Sequence, residues 1–222
     1  MRPWGRTRRL GLGGLVIALG LLAAACGDRG GAAKRQGGEI VFSILSAQGQ
    51  ASSGPVWAPL LDDMARATGA SVKPHFASDY AALIADMKRG QVQAAWFSAQ
   101  PAIEAIDTAD AEVIARTVNL DGEDSYQSVL IVSRDSGLNL ETVLGCGKQL
   151  DFGIGDPRST SGALAPRTFL FGPRKIAPET CFRSVRSANH ERNAFEVASG
   201  VLDVSTSNSV TLANLSRQNP AI

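Results

Sequence analysis

Three consecutive hydroxyl side chains lie in the turn GDPRSTSG at residues 155–162, between a predicted strand and a predicted helix. The first backbone N–H groups of a helix lack intrahelical partners, so they add to the hydroxyls of Ser159, Thr160 and Ser161 as hydrogen-bond donors. This set suits a tetrahedral oxyanion, because that ion offers several acceptors and is attracted to the positive end of the helix dipole. The simpler interpretation is that Ser159 or Thr160 caps the helix, since both residue types are favoured there.

Two further segments carry side chains that could do chemistry, NHERN at 189–193 and VLDVSTSN at 201–208. His190 precedes a predicted helix, and Asp203 lies in a predicted strand. Together with Ser161 they have the three residue types of a hydrolase triad, so an exported serine hydrolase is an alternative function. Against it, the chain lacks the G-x-S-x-G motif, and nothing supplies a separate oxyanion hole once the helix start holds the nucleophile.

The charge distribution argues against nucleic-acid binding. The 222-residue chain has a formal net charge of +1, but four arginines and no acidic residue lie in residues 1–25. The remainder holds 18 basic and 21 acidic side chains, which offer no general counter-charge for a polyanion. We expect no metal and no other cofactor, because His75 and His190 lie far apart without the cysteine or carboxylate spacing of metal ligands.

Residues 1–25 have the layout of a secretory signal peptide. A basic stretch is followed by an apolar run, 10–25, that is too short for a comfortable membrane span. The run ends in small residues directly before Cys26, as in the bacterial lipobox, where the cysteine is lipidated. We therefore expect a lipid anchor at Cys26, a flexible tether over 26–38 and a place on the periplasmic or cell-surface side of a bacterial membrane. An ordinary signal peptide with an incidental cysteine is the alternative.

Strands and helices alternate along the rest of the chain. The predicted strands are 39–45, 71–76, 92–97, 128–133, 150–155, 181–185 and 201–205. The predicted helices are 56–69, 80–88, 103–107, 140–144, 161–171 and 193–199. This order indicates an α/β fold with largely parallel sheets, and its repetition in both halves favours two lobes. Cys146 and Cys181 form either a disulfide or two small buried thiols.

Six segments can be compared with a known family: WAPLLDDMARATG at 57–69, FASDYAALI at 76–84, QAAWFSAQPAIEA at 93–105, SVLIVSRDS at 128–136, FGIGDPRSTSG at 152–162 and NHERNAFEVASGVLDVSTSN at 189–208. In this order they resemble the substrate-binding proteins of phosphate, phosphite and phosphonate ABC transporters, the PhnD-type branch of the type II periplasmic binding proteins. Several ordered motifs make the resemblance more specific than one short motif does.

The resemblance implies a protein that captures phosphonate, phosphite or phosphate between two lobes and delivers it to a membrane permease, without being an enzyme. It assigns the ligand site to eight residues: Tyr80, Trp96, Phe97, Ser159, Thr160, Ser161, His190 and Asp203. The three hydroxyl residues and the histidine hold the oxyanion, and the tyrosine contacts it from the first lobe. The other two aromatic residues line the cleft. The aspartate matches the acid that faces the substrate ammonium in aminoalkylphosphonate binders.

The same resemblance implies the organisation of the chain. The first lobe is expected at 39–130, the second at 131–204 and a return crossing into the first lobe at 205–222, with hinge strands near 130–133 and 204–208. Since the family's chain continues beyond this point, the resemblance implies a C-terminally truncated chain with an incomplete first lobe. Arg158 stands where asparagine is common in the family. Its side chain either adds positive potential beside the anion or projects into solvent, and we expect the second.

Overall fold

The computed structural model describes residues 38–45, 50–119 and 122–219, except for the side chains of residues 50–52. The predicted signal peptide, Cys26 and all of the tether but Gly38 lie outside the described residues. Within the described part of the chain, no helix is long and apolar enough to cross a membrane. The same residues contain no group of histidine, cysteine and acidic side chains that could hold a metal ion.

The first sheet has three parallel strands in the order β2-β1-β3, namely β1 Glu39–Leu45, β2 Ser71–Ala77 and β3 Ala94–Ala95. Three helices accompany it: α1 Gln50–Thr68, α2 Tyr80–Lys88 and α3 Ala99–Ala109. Apolar residues of β1 and α1 form the core, with Phe42, Ile44 and Leu61 buried. These strands and helices are called the first-sheet unit below.

The second sheet has four strands in the order β4-β7-β5-β6, namely β4 Ser128–Val132, β5 Asp151–Ile154, β6 Ser184–Ser187 and β7 Val204–Asn208. Strand β4 is antiparallel to β7, whereas β5 is parallel to both of its neighbours. The helices of this second-sheet unit are α4 Leu140–Val143, α5 Pro178–Cys181, α6 His190–Ala198 and α7 Ser209–Gln218. Two π-helical stretches follow β5, Thr160–Leu164 and Pro166–Phe171, and 3₁₀ turns occupy Arg134–Ser136 and Gly172–Arg174.

Three phenylalanines form the centre of the second-sheet unit. The rings of Phe152 and Phe182 stack with their centroids 4.3 Å apart, and Phe171 meets Phe152 edge-on at 5.7 Å. Full burial of each ring contributes about 1.5–3 kcal/mol to stability. Cys146 and Cys181 form a disulfide across a sequence separation of 35 residues, so the first of the two cysteine alternatives is the observed one.

The structure confirms the predicted bounds of β1 and α2 and corrects several others. The strand predicted at 181–185 starts at Ser184, because Pro178 is suited to the first position of a helix and begins α5. The strand predicted at 92–97 shortens to two residues, and that at 201–205 moves to Val204–Asn208. Since β4 begins at Ser128 and β7 ends at Asn208, the second sheet includes residues on both sides of the predicted 131–204 lobe.

Candidate functional site

Two glycines hold the turn after β5 in its shape. The N–H of Gly155 donates to the carbonyl of Gly162 at 2.9 Å, and the backbones are so close that a Cβ on Gly162 would lie 2.8 Å from the Gly155 Cα. Thr206 of β7 joins this contact, because its Oγ1 accepts from the Gly155 N–H at 2.9 Å and donates to the Gly162 carbonyl at 2.7 Å. The turn is therefore clamped against the sheet, which pre-positions the residues that it carries.

His190 brings two serine hydroxyls of this turn together. Its Nε2 lies 3.4 Å from Ser159 Oγ and 3.2 Å from Ser161 Oγ, and each serine is 3% exposed. Ser159 Oγ also accepts from the Gly162 N–H at 3.0 Å. The capping interpretation therefore holds for Ser159, and the same oxygen also faces the histidine.

The ring of His190 is uncharged at neutral pH. It begins α6, where the Asn189 side chain caps the helix by accepting from the Arg192 N–H. Burial lowers the His190 pKa to about 4, and the backbone of Thr206, near the ring, opposes this effect more weakly. The buried Nδ1 has no well-formed hydrogen bond. In the tautomer that carries its proton on Nε2, the neutral imidazole can donate to an oxyanion.

Tyr80 and Ser98 face this site from the first-sheet unit. Burial raises the Tyr80 pKa, while hydrogen bonds from the hydroxyl and backbone N–H of Ser98 to the phenol oxygen lower it by less. The phenol therefore keeps its proton at neutral pH and can donate it. The ring of Phe97 stacks on Tyr80 with a centroid distance of 6.3 Å. Tyr126 also lies near Tyr80 and contributes to raising its pKa.

Hydrogen bonds join the two sheet units beside this site. Thr160 Oγ1 accepts from the Gln100 N–H at 2.7 Å and donates to Ser98 Oγ at 3.3 Å. The Tyr80 N–H donates to Asp156 Oδ2 at 3.3 Å. The Thr160 hydroxyl thus donates its hydrogen bond to a contact between the units, whereas the predicted role of Thr160 was to hold the anion.

Arg158 also joins the two units, so the prediction that it projects into solvent is wrong. Its Nε lies 2.9 Å from both carboxylate oxygens of Glu104 on α3. This pairing neutralises the one guanidinium in the GDPRSTSG turn.

Asp203 lies away from the other predicted site residues. Its Oδ2 accepts from the Asp151 N–H at 2.7 Å and lies 3.6 Å from Arg183. Asp151 begins β5 and the serine turn follows the end of that strand, so at about 3.3 Å per residue the acid is on the order of 10 Å from the turn. The predicted hydrolase triad of Ser161, His190 and Asp203 therefore does not form.

Trp96 is separated from Phe97, although the two were predicted to line the cleft together. Its ring lies 6.5 Å from that of Trp57, and it packs against the core of the first-sheet unit. Successive side chains of an extended segment point to opposite sides, which explains why Phe97 reaches Tyr80 and Trp96 does not.

Sequence reasoning missed Ser98, Gln100 and Thr206. One signal was available for Thr206, because β7 has the polar sequence VSTSN in a position where a buried strand is expected. All five of its residues are buried. A polar run inside a sheet needs internal partners, and one of these is the serine turn.

Comparisons with known proteins agree with this arrangement. The profile of one family, described as "ABC transporter, phosphonate, periplasmic substrate-binding protein", matches residues 42–222. The phosphonates-binding periplasmic protein of Escherichia coli (strain K12) is 41% identical over 189 residues, which are 85% of this chain and 56% of that protein.

Two solved structures extend the comparison. A binding protein component of an ABC phosphonate transporter from Pseudomonas aeruginosa is 38% identical, with a TM-score of 0.79 over 83% of this chain and 61% of that chain. A protein from Prochlorococcus marinus in complex with methylphosphonate has a TM-score of 0.69 at 20% identity, over 82% and 68% of the two chains. The second likeness concerns the fold alone.

The chain spans 56% of the curated relative and 61% of the Pseudomonas structure. The predicted α/β fold of the type II periplasmic binding proteins is confirmed. Because the family profile covers most of the chain and the curated relative is 41% identical, the chain belongs to the periplasmic phosphonate substrate-binding proteins of ABC transporters.

Proposed function

We propose that this protein is the extracytoplasmic solute-binding component of an ABC importer, and that it captures a phosphonate, phosphite or phosphate ion for a membrane permease. The observation that carries the proposal is the convergence of two serine hydroxyls on His190 Nε2, within 3.4 Å, at the clamped turn after β5. The protonated phenol of Tyr80 faces this turn from the other sheet unit. Family membership supports the same function.

Neutral hydrogen-bond donors are sufficient for such a ligand. Donors that are fixed in place and shielded from water bind an oxyanion strongly without a basic cluster, because bonds to an ionised acceptor are stronger than neutral ones. Ser159, Ser161, His190 and Tyr80 are four such groups. Arg158 adds no free charge, since Glu104 pairs with it.

Closure of two lobes, 39–130 and 131–204, is the proposed way in which the bound state reaches the permease. The predicted hinge strands correspond to β4 and β7, which are antiparallel neighbours. Closure follows from binding only if the closed form holds the ligand better. Because the site is built from residues of both sheet units, a ligand between them satisfies this condition.

Signal-peptide export and lipid anchoring at Cys26 remain part of the proposal. Expression in a bacterial host with labelled palmitate tests it, since the wild-type chain should be labelled and found in the membrane fraction. Cys26→Ser should abolish both. Equal labelling of the two proteins would contradict an anchor at this cysteine.

Calorimetric titration of the purified protein tests the ligand class. Methylphosphonate, aminoethylphosphonate, phosphite and phosphate form the panel, with sulfate as the control anion and thermal denaturation as the check of folding. We expect saturable one-to-one binding of at least one phosphorus oxyanion, with sulfate weaker. A folded protein that binds none of the four would contradict the proposed function.

A further inference from the structure

We propose that Glu104 and Arg158 are positioning residues that form a latch between the two sheet units, independent of any ligand. The inference rests on the proposed function in that the latch serves the anion site. The latch explains why Arg158 lies next to the serines that are proposed to hold the anion, although the arginine is not needed as a hydrogen-bond donor to that anion.

One guanidinium N–H, shared by both carboxylate oxygens, forms the ion pair of the latch. Arg158 Nε lies 2.9 Å from both Glu104 oxygens, and the two side chains are 39% and 29% exposed. Charge-assisted hydrogen bonds of this kind are stronger than neutral ones, although partial exposure to water screens them. Glu104 lies on α3 and Arg158 immediately precedes Ser159, so the pair joins the first-sheet unit to the serine turn.

The backbone of Arg158 extends this connection. Its N–H donates to Asp156 Oδ1 at 2.7 Å, while the other carboxylate oxygen of Asp156 accepts from the Tyr80 N–H at 3.3 Å. The guanidinium therefore fixes the turn against α3, and the same turn holds the start of α2. Movement of Arg158 away from Glu104 disturbs both connections.

Because of the charges around Arg158, the loss of its charge is expected to disturb the junction more than the loss of the Glu104 charge. Glu104, Asp156 and Asp79 all interact favourably with the guanidinium, with Glu104 contributing most. Removal of the arginine charge leaves three carboxylates near one another at the junction of the units, and their repulsion favours opening. Removal of the Glu104 charge leaves the arginine with two acids. Arg158→Gln is therefore expected to open the junction more than Glu104→Gln.

A latch of this kind changes ligand kinetics through the population of the closed state. It stabilises the closed arrangement whether or not an anion is present, so the open arrangement, through which the ligand enters and leaves, is less populated. Because the ligand leaves only after opening, loss of the latch is expected to make dissociation faster. The free energy of a partly exposed ion pair corresponds to about a two- to fivefold change in rate.

Amide hydrogen exchange of the ligand-free full chain tests the latch directly. The N–H groups of Gln100 and Tyr80 donate across the junction to Thr160 and Asp156. Both lie in the first turns of their helices, where no intrahelical acceptor protects them. We expect Arg158→Gln to accelerate exchange at both positions about two- to fivefold. Added salt should accelerate it in the wild type and not in the variant.

Two controls separate opening from general loss of stability. The Ala82 N–H donates to Asp79 within the first-sheet unit at 2.7 Å, and its exchange should not change. Arg167→Gln removes a comparable ion pair, Arg167 to Glu179 at 2.8 Å, that lies wholly in the second-sheet unit. It should leave Gln100 and Tyr80 protected. Equal exchange in wild type and Arg158→Gln, or acceleration at all three amides, would overturn the latch.

Stopped-flow dissociation of methylphosphonate gives the second readout. Arg158→Gln is expected to release the ligand about two- to fivefold faster, and Glu104→Gln less than that. If Arg158→Gln does not fold, Glu104→Gln decides by the same exchange criteria. A folded wild-type protein that binds none of the four phosphorus oxyanions would remove the proposed function, and the exchange experiment would still decide the latch.

Discussion

The two histidines of the chain lie in different sheet units and in contrasting surroundings. His75 of β2 has its Nδ1 3.1 Å from Ser43 Oγ and its Nε2 3.4 Å from a carboxylate oxygen of Asp86, and its side chain is 39% exposed. His190 faces two serine hydroxyls, is mostly buried, and has no carboxylate among the described residues that affects its pKa. The first ring has a charged partner, and the second has neutral ones.

This difference shows that residue types alone do not locate a functional site. Ser43, His75 and Asp86 are the three types of a hydrolase triad, but Ser43 lies in the middle of β1, whereas the serine turn follows the end of a strand. The set instead links β1, β2 and α2. His190 lies at the carboxyl end of β5, where segments of both sheet units meet around the serine turn.

Gly162→Ala should have the largest effect, because it disrupts the His190 site alone. The new Cβ would lie 2.8 Å from the Gly155 Cα and 2.9 Å from both the His190 ring and Ser159 Oγ. We expect loss of anion binding together with about 1–3 kcal/mol of stability. Calorimetry and urea denaturation measure these two quantities. Gly147→Ala is the control, since nothing there lies closer than 3.7 Å, and equal binding by both variants would contradict the close packing of the turn.

Protonation of His190 should make the free energy of unfolding depend on pH between 6.5 and 4. The His190 pKa is lowered to about 4 by burial, so in this window the unfolded state takes up a proton that the folded state does not. Stability is therefore full above about pH 6.5 and falls by about 3 kcal/mol towards pH 4. Glu191 acts in the opposite direction, because burial raises its pKa.

Comparison of wild type with His190→Gln separates the contribution of His190 to the pH dependence of stability from that of the acidic residues. Urea denaturation at several pH values should show a smaller loss of stability in the variant as the pH falls. Parallel curves for the two proteins would mean that the His190 ring is not neutral in the folded state.

Tyr80→Phe tests the contribution of the opposite sheet unit to the His190 site. The variant loses one phenol donor and retains the aromatic ring beside Phe97. Anion affinity should fall about ten- to a hundredfold, the usual scale for a hydrogen bond to a charged group. Titration calorimetry measures the change, and an unaltered dissociation constant would exclude the phenol from the site.

Asp86→Asn should have the smallest effect, because it concerns the His75 site. Asp86 contacts His75 and Arg89, which are both substantially exposed. We expect a loss of no more than about 1 kcal/mol of stability and unchanged anion affinity. A weaker anion affinity in this variant would show that the His75 set is coupled to ligand binding after all.

Local patterns predicted much of the fold. The β-branched run at 39–45 and the cap and apolar spacing at 80–88 were sufficient for β1 and α2, because each pattern describes contacts within a few residues. The anion turn was also predictable, since glycine, proline and three hydroxyl residues occur together between a strand and a helix. Asp203 could not be placed, because its distance from the turn depends on which end of a strand it occupies.

Contacts between the sheet units were beyond sequence reasoning. Glu104 and Arg158 are 54 positions apart, and Gln100 and Thr160 are 60 apart. Their meeting depends on how two separately built sheets pack, and no local spacing records that packing. The engagement of the Thr160 hydroxyl by the other unit follows from the same packing.

Titration calorimetry of wild type, Ser161→Ala and Ser43→Ala with methylphosphonate and phosphate tests the central claim most directly. Both serines lie within 3.2 Å of a histidine nitrogen, so the pair is matched except for the surroundings. The account predicts that Ser161→Ala weakens anion binding by about 1–3 kcal/mol, while Ser43→Ala leaves it unchanged in a protein that still folds. Wild-type affinity in Ser161→Ala, or an equal loss in both variants, would contradict it.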